Sequence, residues 1–194
     1  MSVVRPTLIL FFILTVLTGV IYPALVTGAA QLLFKDQAEG SIVFKEVEGK
    51  RIAIGSKLIG QSFTSPKYFW PRPSATSPAY NAAASSGSNL GPTNKDLIAA
   101  VNDRVKAIKA ANPGWDNSKK IPVDLITASG SGLDPDISPE AASLQLARVA
   151  HARDLPIDEL TKIVTAHTKK RMLGFLGEPR VNVLELNLAL DDLR

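Results

Sequence analysis

Residues 6–34 decide the fold: they read PTLILFFILTVLTGVIYPALVTGAAQLLF and contain no charged side chain. This uncharged stretch is bounded by Arg5 on one side and by Lys35 on the other. A helix of about 20 apolar residues crosses the hydrocarbon core of a bilayer, so the segment is long enough to span one. The sequence therefore predicts a single transmembrane helix at 7–30.

The alternative to a retained helix is a cleaved signal peptide, because the small residues Gly28, Ala29 and Ala30 would suit a signal peptidase. The apolar run exceeds the roughly 7–15 residues of a signal-peptide core, which favours retention. Four small or polar residues also share one helical stripe: Thr15, Thr18, Gly19 and Tyr22. Such a stripe lets a second helix approach closely, so we predict that it binds a partner helix. A chance scatter of these residues along the span is the alternative.

The charges that flank the span predict its orientation. The N-terminal amine and Arg5 lie on one side, and Lys35, Asp36 and Glu39 lie on the other. Short basic segments stay in the cytoplasm, so residues 1–6 are expected there. Residues 31–194 then form an extracytoplasmic domain of a protein that crosses the bacterial inner membrane once. Pro23 is expected to kink or end the regular helix.

Composition excludes several function classes. The 194 residues contain no cysteine, which excludes disulfides, thiolate metal sites and a cysteine nucleophile. They contain only two histidines, which leaves few ways to build a metal site or an acid–base centre. The net charge is +4, and the densest basic runs, at 119–120 and 169–171, have no interleaved aromatic residues. These runs are interpreted as solvated faces, and no nucleic-acid partner is expected.

The remaining chain predicts an α+β domain with a small sheet and about four helices. Two β-branched runs around Glu48-Gly49 indicate a hairpin. The predicted elements after residue 92 are a helix capped at Thr93 or Asn94, a strand at 121–127, and helices at 139–153, 156–169 and from 182 onward. The last of these has alternating leucines, so a strand remains an alternative there.

Between the hairpin and the first of these helices, residues 61–92 contain five prolines and several aromatic residues without clear periodicity. A loop this long inside a domain is usually functional or disordered, and its aromatic content argues against disorder. We interpret it as an ordered segment that docks on a partner through Phe69, Trp70 and Arg72. The alternative is a loop that covers the core of its own domain.

The stretch VDLITASGSGLDPDISPE at 123–140 has the layout of a phosphate-binding loop, but its residues do not fit one. Leu133 stands where a Walker loop needs lysine, and Pro135 stands where a dinucleotide fingerprint needs a third glycine. Asp134 and Asp136 would repel an anion at the start of the following helix.

A calcium loop of the EF-hand type is also excluded, because Pro139 and Gln145 occupy positions that require glycine and glutamate. No G-x-S-x-G element is present, and His151 and His167 lie in predicted helices without an acidic residue placed to orient them. We therefore expect no catalytic residue and no metal site. The small-residue loops suit contact with another protein, through Ser88, Asn89, Ser129, Ser131, Asp134 and Asp136.

Six segments together carry a family resemblance: LIGQSF (58–63), RPSAT (72–76), SGSNLGP (86–92), TASGSGLDPDISPEAA (127–142), ARVAHARDLP (147–156) and VNVLELNLALD (181–191). In this order they closely resemble the C subunit of the Kdp potassium-transporting P-type ATPase, as does the apolar span ending in Tyr-Pro. The resemblance covers essentially the whole chain.

The resemblance implies a non-catalytic accessory subunit with no cofactor of its own. Its partners in that family are a channel-like potassium-binding subunit, an ATP-hydrolysing P-type subunit and a small F subunit, beside membrane lipid. K+ is the transported ion, and ATP would be reached only through the complex. The family suggests two roles, a chaperone that raises the ATP affinity of the hydrolysing subunit and an extracytoplasmic cap on the channel-like subunit.

The sequence favours the cap, because the predicted orientation separates the domain from cytosolic ATP. Asp134 and Asp136 are then expected to raise the local cation concentration near a potassium entrance. The alternative from another class is a stand-alone, membrane-anchored periplasmic enzyme or binding protein with its site in 61–92.

Overall fold

The computed structural model describes residues 3–116 and 118–193. The chain divides into two compact units, Met1–Ile54 and Gly55–Arg194. The first contains the apolar helix, a short helix after it and most of a hairpin, and the second contains the other helices and a small sheet. The predicted division into cytoplasmic, transmembrane and extracytoplasmic segments stays a prediction.

The first unit begins with one long apolar helix of 30 residues, Val4–Leu33, in which an 18-residue window reaches a mean hydropathy of 2.4. It consists of α1 (Val4–Val16), a π-helical turn (Leu17–Ile21) and α2 (Tyr22–Leu33), and is followed by the short helix α3 (Lys35–Ala38). The helix is long and apolar enough to cross a membrane by length and composition. Its side chains are almost all exposed within the chain, as a surface meant for lipid or for other helices requires.

The π-helical turn lies directly before Pro23, and the proline explains it. Within an α-helix the ring of Pro23 would clash with the carbonyl group of Gly19, four residues earlier. In the π turn the amide of Tyr22 donates to the carbonyl of Leu17, five residues back, which widens the helix at this point. The helix therefore continues through Pro23 as α2 instead of ending there, and the irregularity is a widened turn.

Strands β1 (Ile42–Val47) and β2 (Lys50–Ser56) pair in a two-stranded sheet, which confirms the predicted hairpin. Both residues of the connecting turn have left-handed backbone conformations, with φ of 52° at Glu48 and 75° at Gly49. Two-residue hairpin turns favour this conformation because its twist matches that of the flanking strands.

The second unit confirms the α+β class. Its helices are α4 (Lys95–Ala111), α5 (Pro139–Arg153), α6 (Ile157–Ala166) and α7 (Val183–Asp191). Its strands β3 (Asp136–Ile137), β4 (Thr168–Lys169) and β5 (Arg180–Asn182) form an antiparallel sheet in the order β3-β5-β4. Val181 in the central strand lies opposite Ile137 on one side and Thr168 on the other.

Side-chain caps explain where three of these helices begin. Asn94 accepts a hydrogen bond from the amide of Asp96, Ser138 from Ala141, and Asn182 from Glu185, at 2.7, 3.0 and 3.0 Å. Each cap satisfies an amide that has no partner within its own helix. The predicted starts of these helices are confirmed, and α7 is a helix and not the alternative strand. Helix α6 is shorter than predicted, because residues 168–169 pair with β5.

The predicted strand at 121–127 is wrong. Residues Val123–Leu125 form a single 3-10 turn, in which the amide of Leu125 donates to the carbonyl of Pro122. The side chain of Asp124 accepts hydrogen bonds from the amide and the hydroxyl of Ser138, at 2.7 and 3.2 Å. Pro122 has no amide hydrogen for a strand ladder, and Asp124 holds the segment against the start of α5 instead.

The core of the second unit lies around α5 and α7. Its buried side chains come from every helix of the unit and from β3 and β5, and they include Ile108, Ile137, Leu144, Val149, Leu160, Val181, Leu186 and Leu190. Phe69, from the irregular segment 61–92, is part of the same cluster. A segment without regular secondary structure thus supplies one of the largest fully buried side chains of the domain.

Candidate functional site

Phe69 lies in the core of its own domain, with 0% of its surface exposed. Its amide donates to the Oδ1 atom of Asn187 at 2.8 Å, and the Nδ2 atom of Asn187 donates to the Phe69 carbonyl at 3.0 Å. The buried asparagine of α7 thus replaces the neighbouring strand that an extended segment would otherwise need. The interpretation of Phe69 as a docking residue is corrected to packing, because its side chain has no surface to offer.

Trp70 is partly buried and is held in the same way. Its amide donates to the Oε1 atom of Gln145 at 2.7 Å, and Gln145 donates back to the Trp70 carbonyl at 3.2 Å. The indole nitrogen donates to the carbonyl of Ser65 at 3.2 Å. The guanidinium of Arg148 lies 4.3 Å from the centre of the Trp70 ring, a distance typical of a cation–π contact. These contacts are those of a residue that packs against its own core.

Arg148 is a buried cation whose acceptors are all neutral. It donates to the carbonyls of Pro66 and Tyr68 at 2.6 and 2.9 Å, to Asn112 at 3.2 Å and to Gln145 at 2.6 Å. Burial lowers the pKa of the guanidinium to about 10, which leaves it charged at neutral pH. Arg148 therefore fastens the irregular segment to α5.

Arg148 was not among the predicted site residues, although its helical spacing contained a signal. Counting back from Arg148 by four and by seven residues reaches Leu144 and Ala141, which are both buried. A charged residue on the apolar stripe of a helix indicates a buried charge that needs partners. Neither the partners nor their positions in 66–70 could be inferred from spacing.

The two small-residue segments contact one another, and we call residues 74–87 and 129–132 together the serine clasp. Ser86 donates its amide to the carbonyl of Ser131 at 3.0 Å, and the hydroxyl of Ser85 donates to the same carbonyl at 3.0 Å. The Ser74 hydroxyl donates to the carbonyl of Gly132 at 2.7 Å. The serines of this loop therefore bind another part of the same chain.

The glycines of the serine clasp are required by close backbone contact. Gly132 has a φ of +68°, and a Cβ atom there would lie 2.7 Å from the carbonyl oxygen of Ser86. At Gly87 a Cβ atom would lie 2.9 Å from the carbonyl oxygen of Gly130. Ser129, predicted as a contact residue, is buried, and its hydroxyl accepts the amide of Gly132 at 2.9 Å. Ser131 is exposed, as are Ser88 and Asn89, which remain available to a partner.

Asp134 and Asp136 each form an ion pair with an arginine. Asp134 lies 2.9 Å from Arg72, and Asp136 lies 3.0 Å from Arg180. Burial raises the pKa of the Asp136 carboxyl above its ordinary value, against the opposing effect of Arg180. Each arginine weakens the field of its carboxylate at a distance, and the expected attraction of cations by these two residues stays a prediction.

Arg72 is held by its partners within the domain. Its guanidinium pairs with Asp134, and its carbonyl accepts a hydrogen bond from the hydroxyl of Tyr80 at 2.6 Å. Burial, together with the nearby charge of Asp134, raises the pKa of Tyr80 to about 12. The pair lines an open groove of about 650 Å³, whose walls also carry the carboxylates of Asp124, Asp136, Glu140 and Glu178 and the cations of Lys120 and Arg180.

The histidines have ordinary positions. His151 is exposed on α5, and the Nδ1 atom of His167 lies 2.9 Å from the carbonyl of Ile163 at the end of α6. Among residues 3–116 and 118–193, no group of three or more histidine, aspartate or glutamate side chains is placed to hold a metal ion.

The predicted helix stripe is altered by the π turn. Thr15, Thr18 and Gly19 lie before or within the turn, and Tyr22 follows it. The extra residue in the turn rotates Tyr22 away from the line that a regular helix would give. The hydroxyl of Thr18 donates a hydrogen bond to the carbonyl of Leu14 at 2.7 Å. No atom lies within 4 Å of a Cβ atom built at Gly19. Gly19 thus leaves an open notch at the surface of the helix.

Comparisons with known proteins agree with one another. The family described as "KdpC: K+-transporting ATPase, c chain" matches residues 4–192. A "Potassium-transporting ATPase KdpC subunit" of Polaromonas naphthalenivorans is 58% identical over 194 residues, which is 100% of this chain and 96% of the relative. Proteins with the same name from Methylococcus capsulatus and Variovorax paradoxus are each 58% identical over 98% of this chain, covering 97% and 96% of their own lengths.

Proposed function

Because the chain belongs to the KdpC family, the c chain of K+-transporting ATPases, we propose that it is a non-catalytic accessory subunit of an ATP-driven potassium uptake complex. The observation that carries this proposal is the similarity of the whole chain, from the apolar helix to α7, to proteins named as subunits of that transporter. In this role the chain stabilises the assembled complex and supports its full K+-stimulated ATPase activity.

The engagement of the polar residues supports a non-catalytic role. Arg148, Asp124 and Asp134 are held by hydrogen bonds or ion pairs within the domain. His167 contacts a carbonyl of its own helix. A catalytic centre needs a nucleophile or an acid–base group that faces a substrate, and these groups face their own chain instead.

The partners we propose are the channel-like potassium-binding subunit, the ATP-hydrolysing subunit and the small F subunit. The apolar helix Val4–Leu33 exposes its side chains and the notch at Gly19, as packing against other helices in a bilayer requires. We propose further that the N-terminus is cytoplasmic and that the second unit lies outside the inner membrane. An effect on ATP affinity then reaches the hydrolysing subunit through the complex and not through ATP bound to this chain.

Removal of the chain from the complex tests this function. We expect a complex expressed without it to be recovered in lower yield and to lose most of its K+-stimulated ATP hydrolysis. Adding the purified chain back should restore hydrolysis without any ATPase activity of the chain alone. Recovery of a fully active complex without the chain would contradict an accessory role. Measuring hydrolysis across ATP concentrations separates a change in ATP affinity from a change in the amount of active complex.

Protease treatment of intact spheroplasts tests the orientation. We expect the protease to cut the second unit in intact spheroplasts. A tag fused to the N-terminus should be cut only after lysis. The opposite pattern would place the domain in the cytoplasm, where direct contact with ATP becomes possible.

A further inference from the structure

The hairpin formed by β1 and β2, residues 42–56, follows closely on the apolar helix, and we call it the juxtamembrane hairpin. The connection between them is folded and not extended. The amide of Ser41 donates to the carbonyl of Asp36 at 2.7 Å, which turns the chain back onto the first turn of α3, and Ser41 is buried. The start of β1 is thereby held beside Asp36, three residues after the apolar helix ends at Leu33.

The length of the apolar helix places its end at the level of the lipid headgroups. A helix of 30 residues is about 45 Å long at about 1.5 Å per residue. A bilayer is about 40–45 Å thick with its headgroups, around a hydrocarbon core of about 30 Å. When the helix spans a bilayer, the start of the juxtamembrane hairpin therefore lies at the headgroup layer, whichever side of the membrane the second unit occupies.

The more exposed face of β1 is its apolar face. Ile42 and Phe44 alternate along the strand and so point to the same side, with exposed fractions of 42% and 43%. Val43 and Lys45, which point to the other side, are half-buried. A strand with one solvated face normally directs its polar side chains outward, and a two-stranded hairpin alone is at best marginally stable in water. The apolar face of this hairpin therefore needs a contact other than water.

Arg51 of β2 lies over the same apolar face. Its guanidinium carbon is 4.1 Å from the centre of the Phe44 ring, a distance typical of a cation–π contact. Arg51 is exposed, and no carboxylate is paired with it in the part of the chain that the structure describes. A planar guanidinium binds two phosphate oxygens at once through parallel N–H groups. The face thus combines an apolar surface with a group suited to phosphate.

We propose that the juxtamembrane hairpin binds the phospholipid headgroup layer, with Ile42 and Phe44 at the acyl boundary and the guanidinium of Arg51 on a lipid phosphate. The inference goes beyond the proposed function and rests only on the membrane insertion of the apolar helix. Arginine suits this layer because its apolar stem and its charged end can lie at the acyl boundary and at the phosphates at the same time. A phospholipid supplies both contacts at the depth where the helix holds the hairpin.

The net charge of the juxtamembrane hairpin is small, so electrostatic attraction alone would not attach it. The hairpin contains three cations and two carboxylates, at Lys45, Lys50, Arg51, Glu46 and Glu48. Attachment of a free protein to anionic lipid usually takes a cluster of about 4–8 basic residues. This hairpin does not need such a cluster, because the apolar helix already holds it at the surface and the second contact is intramolecular. Two apolar side chains and one arginine are therefore sufficient.

Nitroxide labels on single introduced cysteines test the contact, in the purified full chain inserted in vesicles of phosphatidylethanolamine and phosphatidylglycerol. The chain has no cysteine of its own, so each label has one site. Ile42→Cys reports on the hairpin and leaves Phe44 and Arg51 in place. Phe12→Cys reports on the apolar helix. Val123→Cys is the matched control, because Val123 is also a large exposed apolar residue but lies in the second unit.

The environment of each label follows from its collisions with molecular oxygen, which concentrates in lipid, and with a water-soluble nickel chelate. We expect the oxygen-to-nickel ratio at Ile42→Cys to lie above that at Val123→Cys and below that at Phe12→Cys. A ratio at Ile42→Cys equal to that of the control means water, and a label shielded from both reagents means contact with protein; either would overturn the proposal. A label in water at Phe12→Cys would instead show that the apolar helix does not insert, and would overturn the proposed membrane anchoring, so the two failures are distinguishable.

Arg51→Gln, made in the Ile42→Cys chain, tests the phosphate contact. We expect the ratio of lipid-exposed to water-exposed label to fall about fivefold, the effect of one cation near a lipid surface. Lys50→Gln is the matched control, since Lys50 is the neighbouring exposed cation but points to the opposite side of the strand. Its ratio should stay within about twofold of the unchanged chain. Equal ratios in the two variants would overturn the assignment of Arg51 to a lipid phosphate.

Discussion

At the scale of single residues, Trp70 is expected to stabilise the domain through packing. We predict that Trp70→Ala lowers the free energy of unfolding by at least about 2 kcal/mol, somewhat less than a fully buried tryptophan would cost. The change removes the ring that Arg148 covers and the hydrogen bond to Ser65. Denaturant unfolding of the purified full chain measures it.

Phe175→Ala is the control for that measurement, because Phe175 is aromatic but exposed. Its effect on stability should stay within about 0.5 kcal/mol. If Trp70→Ala left stability unchanged but abolished association with the complex, Trp70 would be a docking residue and not a packing residue.

Asp191 links the stability of the domain to pH. Burial alone would raise the pKa of its carboxyl, but hydrogen bonds from Arg153 and Tyr68, at 2.8 Å each, outweigh burial and hold the pKa below its ordinary value. As pH falls, the unfolded chain then takes up this proton before the folded chain does. The contribution of Asp191 is therefore present above about pH 4 and is lost as pH falls through the depressed pKa.

We predict that wild type is more stable than Asp191→Asn by about 1 kcal/mol at pH 7. This difference should shrink toward zero below about pH 4, because the protonated carboxyl no longer accepts both bonds as an anion. Urea unfolding of both proteins at a series of pH values measures the difference. A constant difference from pH 7 to pH 3 would show that the ionised carboxylate contributes nothing.

Single residues also show what sequence reasoning could and could not supply. The caps Asn94, Ser138 and Asn182 were predictable, because each acts on amides two or three residues away. The burial of Phe69 was not, because it depends on Asn187, which lies 118 positions later. A cap acts on nearby residues and can be predicted from the local sequence. A polar contact between residues that are distant in the chain produces no periodicity and cannot be predicted in this way.

At the scale of elements, the serine clasp is expected to depend on the absence of a side chain at Gly132. We predict that Gly132→Ala lowers stability by about 2 kcal/mol or more, since the added methyl group meets the Ser86 carbonyl in an already left-handed backbone. Gly130→Ala is the matched control, because nothing lies within 4 Å of its Cβ position. Equal melting temperatures for the two variants would contradict the close contact in the clasp.

The apolar helix is expected to bind a partner through the notch at Gly19. Gly19→Leu keeps the helix apolar but fills the notch, so association with the complex should weaken by on the order of 1 kcal/mol, about fivefold. Gly28→Leu is the control, because Gly28 is equally open but lies in α2, away from the predicted stripe.

Co-purification in mild detergent measures this association, and carbonate extraction checks that both variants insert into the membrane. Equal recovery of the Gly19→Leu and Gly28→Leu variants would contradict a role for the notch in binding a partner helix.

Elements with strong periodicity were predictable, and elements defined by side-chain contacts were not. The bounds of α5 agree with the sequence prediction at both ends, because Ser138 and Pro139 start the helix and its apolar stripe is regular. The strand expected at 121–127 is a turn, because Asp124 binds Ser138 in preference to a strand partner. The basic run 169–171 predicts a solvated face, but it gives no signal for the closed turn between Met172 and Leu176 that follows it.

At the scale of the whole molecule, the chain combines an apolar helix with a domain whose polar residues are mostly used internally. The helix offers exposed apolar side chains and a notch, and the domain offers the exposed apolar side chains of 172–176 and the exposed part of the serine clasp. We expect contacts with other subunits at these surfaces. The identity of the ion is expected to reside in a partner.

The central claim, that the chain works as a bound subunit of a potassium transporter, is tested most directly by its behaviour in mild detergent. We predict that the tagged full chain, purified from cells grown at limiting potassium, co-migrates on size exclusion with two larger membrane subunits, and that the co-purified material hydrolyses ATP when K+ is added. A chain that elutes alone at the size of its own detergent complex, from cells that contain the transporter, would contradict the account.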